Sequence, residues 1–435
     1  MKKKYTIVIL ISLSLGFILG IVWKRYLYPL FPYSKVVSLF SAHNPIPETG
    51  KWNFISDKDD SSVMSAKQKE AIKQLQSIGY ANGSMPAPQE DKVTFYTEKS
   101  AYNGLNLLVS GHAPEAILMD MEGNELHRWT CDIYRAWPDF NPEKPLPPHG
   151  CWRRAHLMEN GDLYAIFEGI GILKLDKDSK LIWSLRNGAH HDLYITKEGL
   201  IFVLTRKAYI NPEYNKNEPI LEDYITILEP SGEKIKEISI LNLIKKSTIS
   251  PIIFRAPESG DILHTNTIEV IEEERGISKY PWKPGSVIMS VLKLDLVFVV
   301  DLETEAILWA ESDYWRRQHQ PTLLNNGNLL IFDNRTSVNK STVLEMDPLH
   351  RTIIWKYSGN EKMPFYTHTC GSCQRLPNGN TLITESDQGR AFEVNENKDI
   401  VWEYINPYRA GKNNEFIATL FEVIRIDDID TEDWE

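Results

Sequence analysis

The sequence lacks an excess of positive charge, has only four cysteines and contains a single long hydrophobic run. Its 435 residues carry 48 Lys and Arg against 59 Asp and Glu, a formal net charge of −11. A general nucleic-acid binder needs a basic surface for phosphates, so this balance argues against nucleic acid as a partner. Hydrophobic residues make up 42% and charged residues 25%, which is typical of a globular protein with a large core.

The hydrophobic run lies at residues 5–23 and has no charged side chain in 19 residues. About 20 apolar residues cross a bilayer as a helix, and a cleaved signal peptide usually has a shorter apolar core. We therefore predict a transmembrane anchor at residues 1–25, with a cleaved signal or a buried helix as alternatives, and the rest of the chain on the periplasmic or extracytoplasmic side. Residues 26–90 are predicted to be a linker with a short helix at 65–75, and residues 427–435 an acidic tail.

A unit of strands and tight turns recurs along the rest of the chain. Clear copies lie at residues 157–183, 323–355 and 376–402, and weaker copies at 103–129, 197–235 and 297–309. Asn-Gly in the clear copies favours a hairpin, alternating apolar residues favour half-buried strands, and the last strand carries a Trp in five of the six units.

A four-stranded sheet cannot bury both of its faces alone, whereas several sheets packed radially can. The repeats therefore predict an all-β fold, a six-bladed β-propeller at residues 91–426, with an array of β-sandwiches as the alternative. The strand-like residues 416–426 are expected to pair with the first blade and close the ring.

Histidines stand just before the repeated hairpin in several units. They are found in His190-His191-Asp192, at His264, in Gln318-His319 and at His368. The loops before the innermost strands of a propeller meet at its central channel, so these side chains are expected to converge there. Three converging histidines either bind a metal through neutral nitrogens, or supply one nucleophile while the others act as acid, base or anion ligand.

Residues 186–205, 264–270, 315–334 and 374–385 closely resemble the arylsulfotransferase family, and the likeness extends over about residues 70–410. The resemblance implies a six-bladed propeller that moves a sulfuryl group from an aryl sulfate to a phenol. It also implies that the enzyme needs no phosphoadenosine phosphosulfate and no other cofactor. The absence of a GxxxxGK[ST] phosphate loop agrees with this expectation.

The resemblance also implies roles for particular residues. His319 matches the histidine that attacks the sulfur and becomes sulfated before a second phenol takes the sulfuryl group. His191 matches the histidine of a His-Asp motif, and His264 and Asn266 match a His-x-Asn motif whose members hold sulfuryl oxygens and assist proton transfer. We therefore expect no metal, the catalytic residues His319, His191 and His264, and the substrate-binding residues Asn266, Arg206, Arg317 and Asn334.

One position departs from the family's pattern. The family carries an arginine about one strand after His-x-Asn, and an ungapped match places Leu292 there with Lys293 beside it. Side chains alternate along a strand, so Lys293 is expected to point away unless the register shifts. Because losing a bidentate anion ligand is costly, the candidate substitutes are Arg206, Arg317 and Arg335. The alternative function is a catalytically degenerate propeller that binds a ligand or a protein.

The four cysteines allow three complete pairings. Behind an export anchor the surroundings are oxidising, which favours disulfides. Cys131 and Cys151 flank a proline-rich insertion, and Cys370 and Cys373 have C-x-x-C spacing. We therefore predict one disulfide within each pair, with four buried thiols as the alternative.

Overall fold

A computed structural model of the protein describes residues 83–140, 150–273, 280, 282–411 and 413–427, together with the short pieces 50–51, 67–68 and 79–80. The predicted anchor at residues 1–25 lies outside these residues, as does all but the first residue of the predicted acidic tail. Of the predicted linker helix, residues 67–68 are described and are helical. No helix in the described part of the chain is long and apolar enough to span a membrane.

Strands dominate the described part of the chain. In chain order they are β1 (Gly50–Lys51), β2 (Gly79–Tyr80), β3 (Lys92–Tyr96), β4 (Leu105–Ser110), β5 (Glu115–Met119), β6 (Glu125–Thr130), β7 (Trp152–Leu157), β8 (Leu163–Phe167), β9 (Gly171–Leu175), β10 (Leu181–Leu185), β11 (Ala189–Ile195), β12 (Ile201–Tyr209), β13 (Ile220–Leu228), β14 (Lys234–Ser239), β15 (Gly260–Asp261), β16 (Thr265–Val270), β17 (Ser286–Val291), β18 (Leu296–Asp301), β19 (Ala306–Glu311), β20 (His319–Leu323), β21 (Leu329–Asp333), β22 (Thr342–Asp347), β23 (Thr352–Tyr357), β24 (Ser372–Arg375), β25 (Thr381–Glu385), β26 (Arg390–Val394), β27 (Ile400–Ile405), β28 (Arg409–Ala410), β29 (Phe416–Ile417) and β30 (Leu420–Ile426). Two short α-helices, α1 (Ile133–Ala136) and α2 (Ile240–Lys246), and four 3-10 helices, Ser250–Arg255, Leu292–Leu294, Thr336–Val338 and Ser386–Gln388, complete the described elements.

Hydrogen bonding groups these described strands into six sheets of four or five strands, besides two two-stranded sheets. Blade 1 contains β30, β4, β5 and β6, blade 2 contains β7 to β10, and blade 3 contains β11 to β14 with β15 added beside β13. Blade 4 contains β16 to β19, blade 5 contains β20 to β23, and blade 6 contains β24 to β27 with β3 outside β27. The predicted all-β six-bladed propeller is therefore confirmed.

Both ends of the described blade region contribute to closing the ring. The late strand β30 pairs antiparallel with β4, from Leu420 opposite Ser110 to Ile426 opposite Leu105. This pairing confirms the predicted closure on the first blade. The early strand β3 adds to the outer edge of blade 6 by pairing with β27, a second closure that the sequence pattern did not predict.

The hydrophobic core consists of layers between neighbouring blades. In the described residues, six clusters of buried side chains each combine residues from two adjacent blades, in the order 1–2, 2–3, 3–4, 4–5, 5–6 and 6–1. Burial of apolar area is the main favourable term in folding. Each blade is therefore stabilised mainly by its two neighbours, as the repeat pattern predicts.

The tryptophan that ends most blades links each of them to the next. In four blades its indole N–H donates to a main-chain carbonyl in a turn of the following blade. These bonds run from Trp129 to Gly161, Trp183 to Pro230, Trp309 to Pro348 and Trp402 to Met121. A tryptophan combines a large apolar surface with one donor that needs a partner when buried. This contact between blades explains why the residue recurs.

The predicted disulfides are wrong, because no disulfide joins the four cysteines. Cys370 packs in the layer between blades 1 and 2, whereas Cys373 packs in the layer between blades 5 and 6, so the two thiols of the C-x-x-C pair face different parts of the core. Cys131 is buried, and its sulfur lies 3.6 Å from the carbonyl of Asp132. Burial raises the pKa of Cys131 to about 11 and that of Cys151 to about 12, which keeps both protonated near neutral pH.

Candidate active site

Three of the predicted histidines lie where the innermost strands of blades 3, 4 and 5 begin. His191 is the third residue of β11, His264 directly precedes β16, and His319 is the first residue of β20. Each inner strand shifts register against its neighbour beside the histidine, and such bulges re-aim side chains. His191 and His264 also have positive φ angles of 52° and 54°, a region in which histidine is enriched among non-glycine residues.

The rings of His191 and His264 contact each other, and His319 lies near His264. The ring centroids of His191 and His264 are 4.7 Å apart, in an edge-to-face arrangement with an interplanar angle of 73°. His264 lies close enough to His319 to lower the pKa of its imidazole further, after burial. The structure thus brings together the residues predicted to be catalytic, while their roles stay predictions.

A network of polar side chains crosses the channel beside these histidines. Asp192, which follows His191, pairs with Arg154 at 2.8 Å and accepts from the amide of Ile268 at 3.0 Å. Arg154 also contacts Glu422 of the closing strand, and Gln320, which follows His319, donates to Glu422 at 2.8 Å. These contacts join blades 1 to 5 and hold the strands that carry the histidines.

His319 is held by Asn334. The Nδ1 atom of His319 lies 2.7 Å from Oδ1 of Asn334, and the amide nitrogen of Asn334 donates to the carbonyls of Thr367 at 3.1 Å and Cys370 at 2.8 Å. Burial lowers the pKa of His319 to about 3, and the positive charge of Arg153 contributes in the same direction. The imidazole is therefore neutral near neutral pH.

His264 pairs with a carboxylate that the sequence pattern did not identify. Its Nδ1 atom makes a short hydrogen bond with Asp261. Burial lowers the pKa of His264, and Asp261 partly offsets this effect. Asp261 belongs to β15, which pairs in parallel with β13 at Leu221, so a short strand inserted into blade 3 places this carboxylate under a histidine of blade 4.

His191 lies between a second histidine and a glutamate. Its Nδ1 atom is 2.8 Å from Nδ1 of His190 and 3.5 Å from Oε1 of Glu168, whose other oxygen accepts from the His191 amide at 2.9 Å. Burial raises the pKa of Glu168 to about 7 despite Arg206 and Arg153, which lie 3.7 Å and 4.0 Å from its oxygens. Glu168, His190 and His191 form a group whose ligand atoms are close enough to hold a metal ion.

The other predicted site residues lie in different settings. Asn266 is buried, and its amide donates to the Gln318 carbonyl at 2.8 Å, next to His319. Arg206 is buried beside Glu168. Arg317 is exposed at the mouth of the site, where its charge lowers the pKa of His264 and His319 after the larger effect of burial. Arg335 is exposed and lies 3.9 Å from Asp333, which precedes the His319 partner Asn334.

The departure at Leu292 has a structural consequence. Strand β17 ends at Val291, and Leu292 to Leu294 form a 3-10 turn instead of continuing the strand. Leu292 is buried, with 6% of its surface exposed. Because strand alternation stops at Val291, it does not turn Lys293 away. The Lys293 charge lowers the pKa of both His264 and Asp261, after the larger effects that act on each.

The sequence pattern identified the histidines but missed the carboxylates around them. Glu168 follows β8, Asp223 lies in β13, and Asp261 lies in β15. Glu168 and Asp223 have no fixed spacing to a histidine, because the pairing of strands distant in sequence brings them to the site. Asp261 offered the only local signal among these three carboxylates, because it lies three residues before His264.

Comparison with known proteins shows to which family the chain belongs. A model of the arylsulfotransferase (ASST) family matches residues 154–407, and no curated protein matches the chain. Similar solved structures include a protein of unknown function from Bacteroides caccae (12% identity, 74% of this chain and 98% of that chain, TM-score 0.47) and the WD40 β-propeller domain of Doa1 (9% identity, 82% and 99%, TM-score 0.43). At these TM-scores the likenesses carry no argument. The family match spans more than half of the chain, which therefore belongs to the arylsulfotransferase family and is a sulfotransferase in the general sense.

Proposed function

We propose that the protein moves a sulfuryl group from an aryl sulfate to a phenol, with Nε2 of His319 as the atom that carries the group between them. The observation that carries this proposal is the contact between His319 and Asn334. In the first half-reaction, Nε2 attacks the sulfur while the bond from sulfur to the aryl oxygen breaks. In the second, the oxygen of an acceptor phenol attacks the same sulfur and releases the histidine.

The hydrogen bonds of Asn334 support this choice of atom. Its amide nitrogen donates to two carbonyls, so its oxygen must be the atom that faces His319. An amide oxygen only accepts, and Nδ1 of His319 must therefore carry the hydrogen. The lone pair is then on Nε2. Because burial lowers the pKa of His319 to about 3, the ring stays neutral and does not become an imidazolium near neutral pH. A neutral imidazole with a fixed tautomer is a competent nucleophile.

The charges around the site suit a group with negative oxygens. Arg317 lies at the mouth, Lys293 lies near His264, and Arg153 lies near His319. Preplaced positive groups stabilise charge that develops on a transferring group. His191 and His264 are the candidates for moving the proton of the leaving and accepting phenols. A non-catalytic propeller that binds an anion is the second candidate function, and it is favoured only by Leu292 at the arginine position.

The test uses the full chain and a panel of aryl sulfates without an acceptor. We expect a burst of phenol close to one equivalent per protein, and the mass of one SO3 group on the peptide that contains His319. His319→Ala is expected to lose both signals. His350→Ala is the matched control, since His350 is exposed on blade 5 and pairs with Asp347. No phenol release from any aryl sulfate, or a burst that persists in His319→Ala, contradicts the proposal.

We extend the proposal to location, because residues 5–23 are apolar and long enough to span a bilayer. The full chain is expected in the membrane fraction, and a chain that begins at residue 26 in the soluble fraction. Recovery of the full chain in the soluble fraction contradicts this part of the proposal.

A further inference from the structure

Behind the three histidines lies a row of buried titratable side chains that the proposed transfer does not yet use. His190 and Asp223 are each about 1% exposed. The Nδ1 atoms of His191 and His190 are 2.8 Å apart, and on the far side of the His190 ring Nε2 lies 3.6 Å from Oδ1 of Asp223. The row therefore runs from the channel, through two imidazoles, to a carboxyl group in β13.

Two ring nitrogens at hydrogen-bond distance share one hydrogen, so the row has two protonation patterns. In the first, Asp223 is ionised, His190 carries its hydrogen on Nε2, and His191 carries its hydrogen on Nδ1, which leaves His191 Nε2 as a base. The second has one more proton. Asp223 is then protonated, His190 carries its hydrogen on Nδ1, and His191 carries its hydrogen on Nε2, where it can act as an acid.

We infer that Asp223, His190 and His191 form a proton relay that holds the phenolic proton between the two halves of sulfuryl transfer. The inference rests on the proposed function and identifies His191 Nε2 as the group that exchanges the proton with the phenol. His190 and Asp223 do not touch the substrate and act through His191.

The relay balances the protons of both half-reactions. When the aryl oxygen leaves sulfur, it takes the proton from His191 Nε2, the His190 Nδ1 proton moves to His191 Nδ1, and the Asp223 proton moves to His190 Nε2. When the acceptor phenol attacks, its proton arrives at His191 Nε2 and the same three transfers run backwards. The last contact, at 3.6 Å, is longer than a hydrogen bond, so it closes by a small movement of the ring or of the carboxyl group.

The surroundings favour the proton on the carboxyl group over an imidazolium. Burial raises the pKa of Asp223, and the nearby Asp261 raises it further, against the amide of Thr265, which donates at 2.7 Å, and against Arg206. Burial and then Arg206 and His264 lower the pKa of His190. His191 is affected in the same way by burial, His264, His190 and Arg153.

The same histidines with Glu168 are the group whose spacing suits a metal ion. Two guanidinium groups argue against a cation there, because Arg206 and Arg153 already lie 3.7 Å and 4.0 Å from the carboxylate of Glu168. A bound metal would also occupy the lone pairs that the relay needs. Metal content is therefore an outcome of the test.

The test compares aryl sulfates whose phenols differ in acidity. A nitrophenolate leaves without a proton, whereas an unsubstituted phenolate needs one, so loss of a proton donor slows only the second. We expect Asp223→Asn to lower the burst rate with phenyl sulfate by about 100-fold and to change the rate with 4-nitrophenyl sulfate little. His190→Gln is expected to do the same. Glu345→Gln is the matched control, since Glu345 is a buried carboxylate that pairs with Arg375.

Equal losses with both sulfates, or no loss, overturn the relay, and a loss with phenyl sulfate confined to Asp261→Asn places the proton on His264 instead.

A second measurement needs no turnover. Just below neutral pH, the infrared signal of protonated carboxyl groups is expected to be weaker by one group in Asp223→Asn than in the unmodified protein and in Glu345→Gln, while the signal of Glu168, whose pKa burial raises to about 7, remains. If the signal in Asp223→Asn equals that of the unmodified protein, or if one bound divalent metal per chain is lost in His190→Gln, the relay is wrong. Failure of the unmodified protein to release any phenol would instead contradict the proposed function.

Discussion

At the scale of single residues, Asn334 determines which nitrogen of His319 can react. Its amide is oriented by two carbonyls, and its oxygen fixes the hydrogen on Nδ1. Asn334 was predicted to bind substrate, and in the structure its side chain contacts His319 and the carbonyls of Thr367 and Cys370. The sequence motif Asp333-Asn334 at the end of β21 was enough to select Asn334. It could not reveal that the Asn334 amide donates to carbonyls of a later segment, at Thr367 and Cys370.

A carboxylate in place of this amide should change the pH dependence of the reaction. In Asn334→Asp the negative charge stabilises the imidazolium, so the pKa of His319 rises from about 3 and the protonated, unreactive ring persists to higher pH. We expect the acid limb of the phenol-release profile to move to higher pH. Asn334→Ala is expected to lower the rate about tenfold, the equivalent of one hydrogen bond, with no such movement. The measurement is burst rate against pH, and identical acid limbs in the unmodified protein and Asn334→Asp contradict the argument.

At the scale of elements, the end of strand β17 decides what the residues after it can do. An extended strand would have placed Leu292 and Lys293 on opposite faces, but the 3-10 turn of Leu292–Leu294 begins there. The amides of Leu292 and Lys293 donate to the carbonyls of His264 at 3.2 Å and Leu263 at 3.0 Å. The turn therefore packs against the segment that carries His264 and holds Lys293 near it.

Two substitutions in this turn test different properties, substrate binding at Lys293 and stability at Leu292. Lys293→Met removes a positive charge near His264, and we expect a higher KM for aryl sulfate with a smaller change in kcat. Leu292→Arg, which restores the family's residue type, places a charge at a buried position, and we expect it to destabilise the protein by about 3 kcal/mol without raising turnover. Steady-state kinetics and urea unfolding measure both effects. A stable Leu292→Arg variant with increased turnover would show that the family's arginine position is still functional.

The elements also show why sequence predicted the fold better than the site. Hairpins and outer tryptophans are local features, and Gly161, Gly327 and Gly379 indeed adopt positive φ angles of 82°, 82° and 91°. The pairing of β13 with β15 places Asp223 near Asp261 and the histidines, and no repeat in the sequence reveals this pairing. The disulfide predicted for the C-x-x-C pair is wrong for a related reason, because the spacing of two cysteines does not show which layer of the core each side chain enters.

At the scale of the whole molecule, a buried ion pair links the closing strand to blade 6. Arg425 of β30 and Glu393 of β26 lie 2.9 Å apart with fully buried side chains. Arg425 also donates to Asn106 of β4 at 2.7 Å, and Glu393 accepts from the amide of Tyr102 at 2.8 Å. The pair thus joins β26 of blade 6 to β30 and β4 of blade 1.

Removing one partner should open the ring more readily than removing both. Arg425→Met leaves the Glu393 carboxylate buried without its cation, and we expect a loss of about 3–5 kcal/mol in the free energy of unfolding. In Arg425→Met with Glu393→Met, apolar side chains replace both charges, and we expect most of this loss to be recovered. Arg351→Met is the control, because Arg351 pairs with Glu311 on the surface with 56% of its side chain exposed, and such pairs contribute about 1 kcal/mol or less. Urea unfolding of the four proteins measures the loss and its recovery. If the double variant is as unstable as Arg425→Met, the loss comes from the arginine's other contacts, its hydrogen bonds to Asn106 and to the main-chain carbonyl of Tyr102.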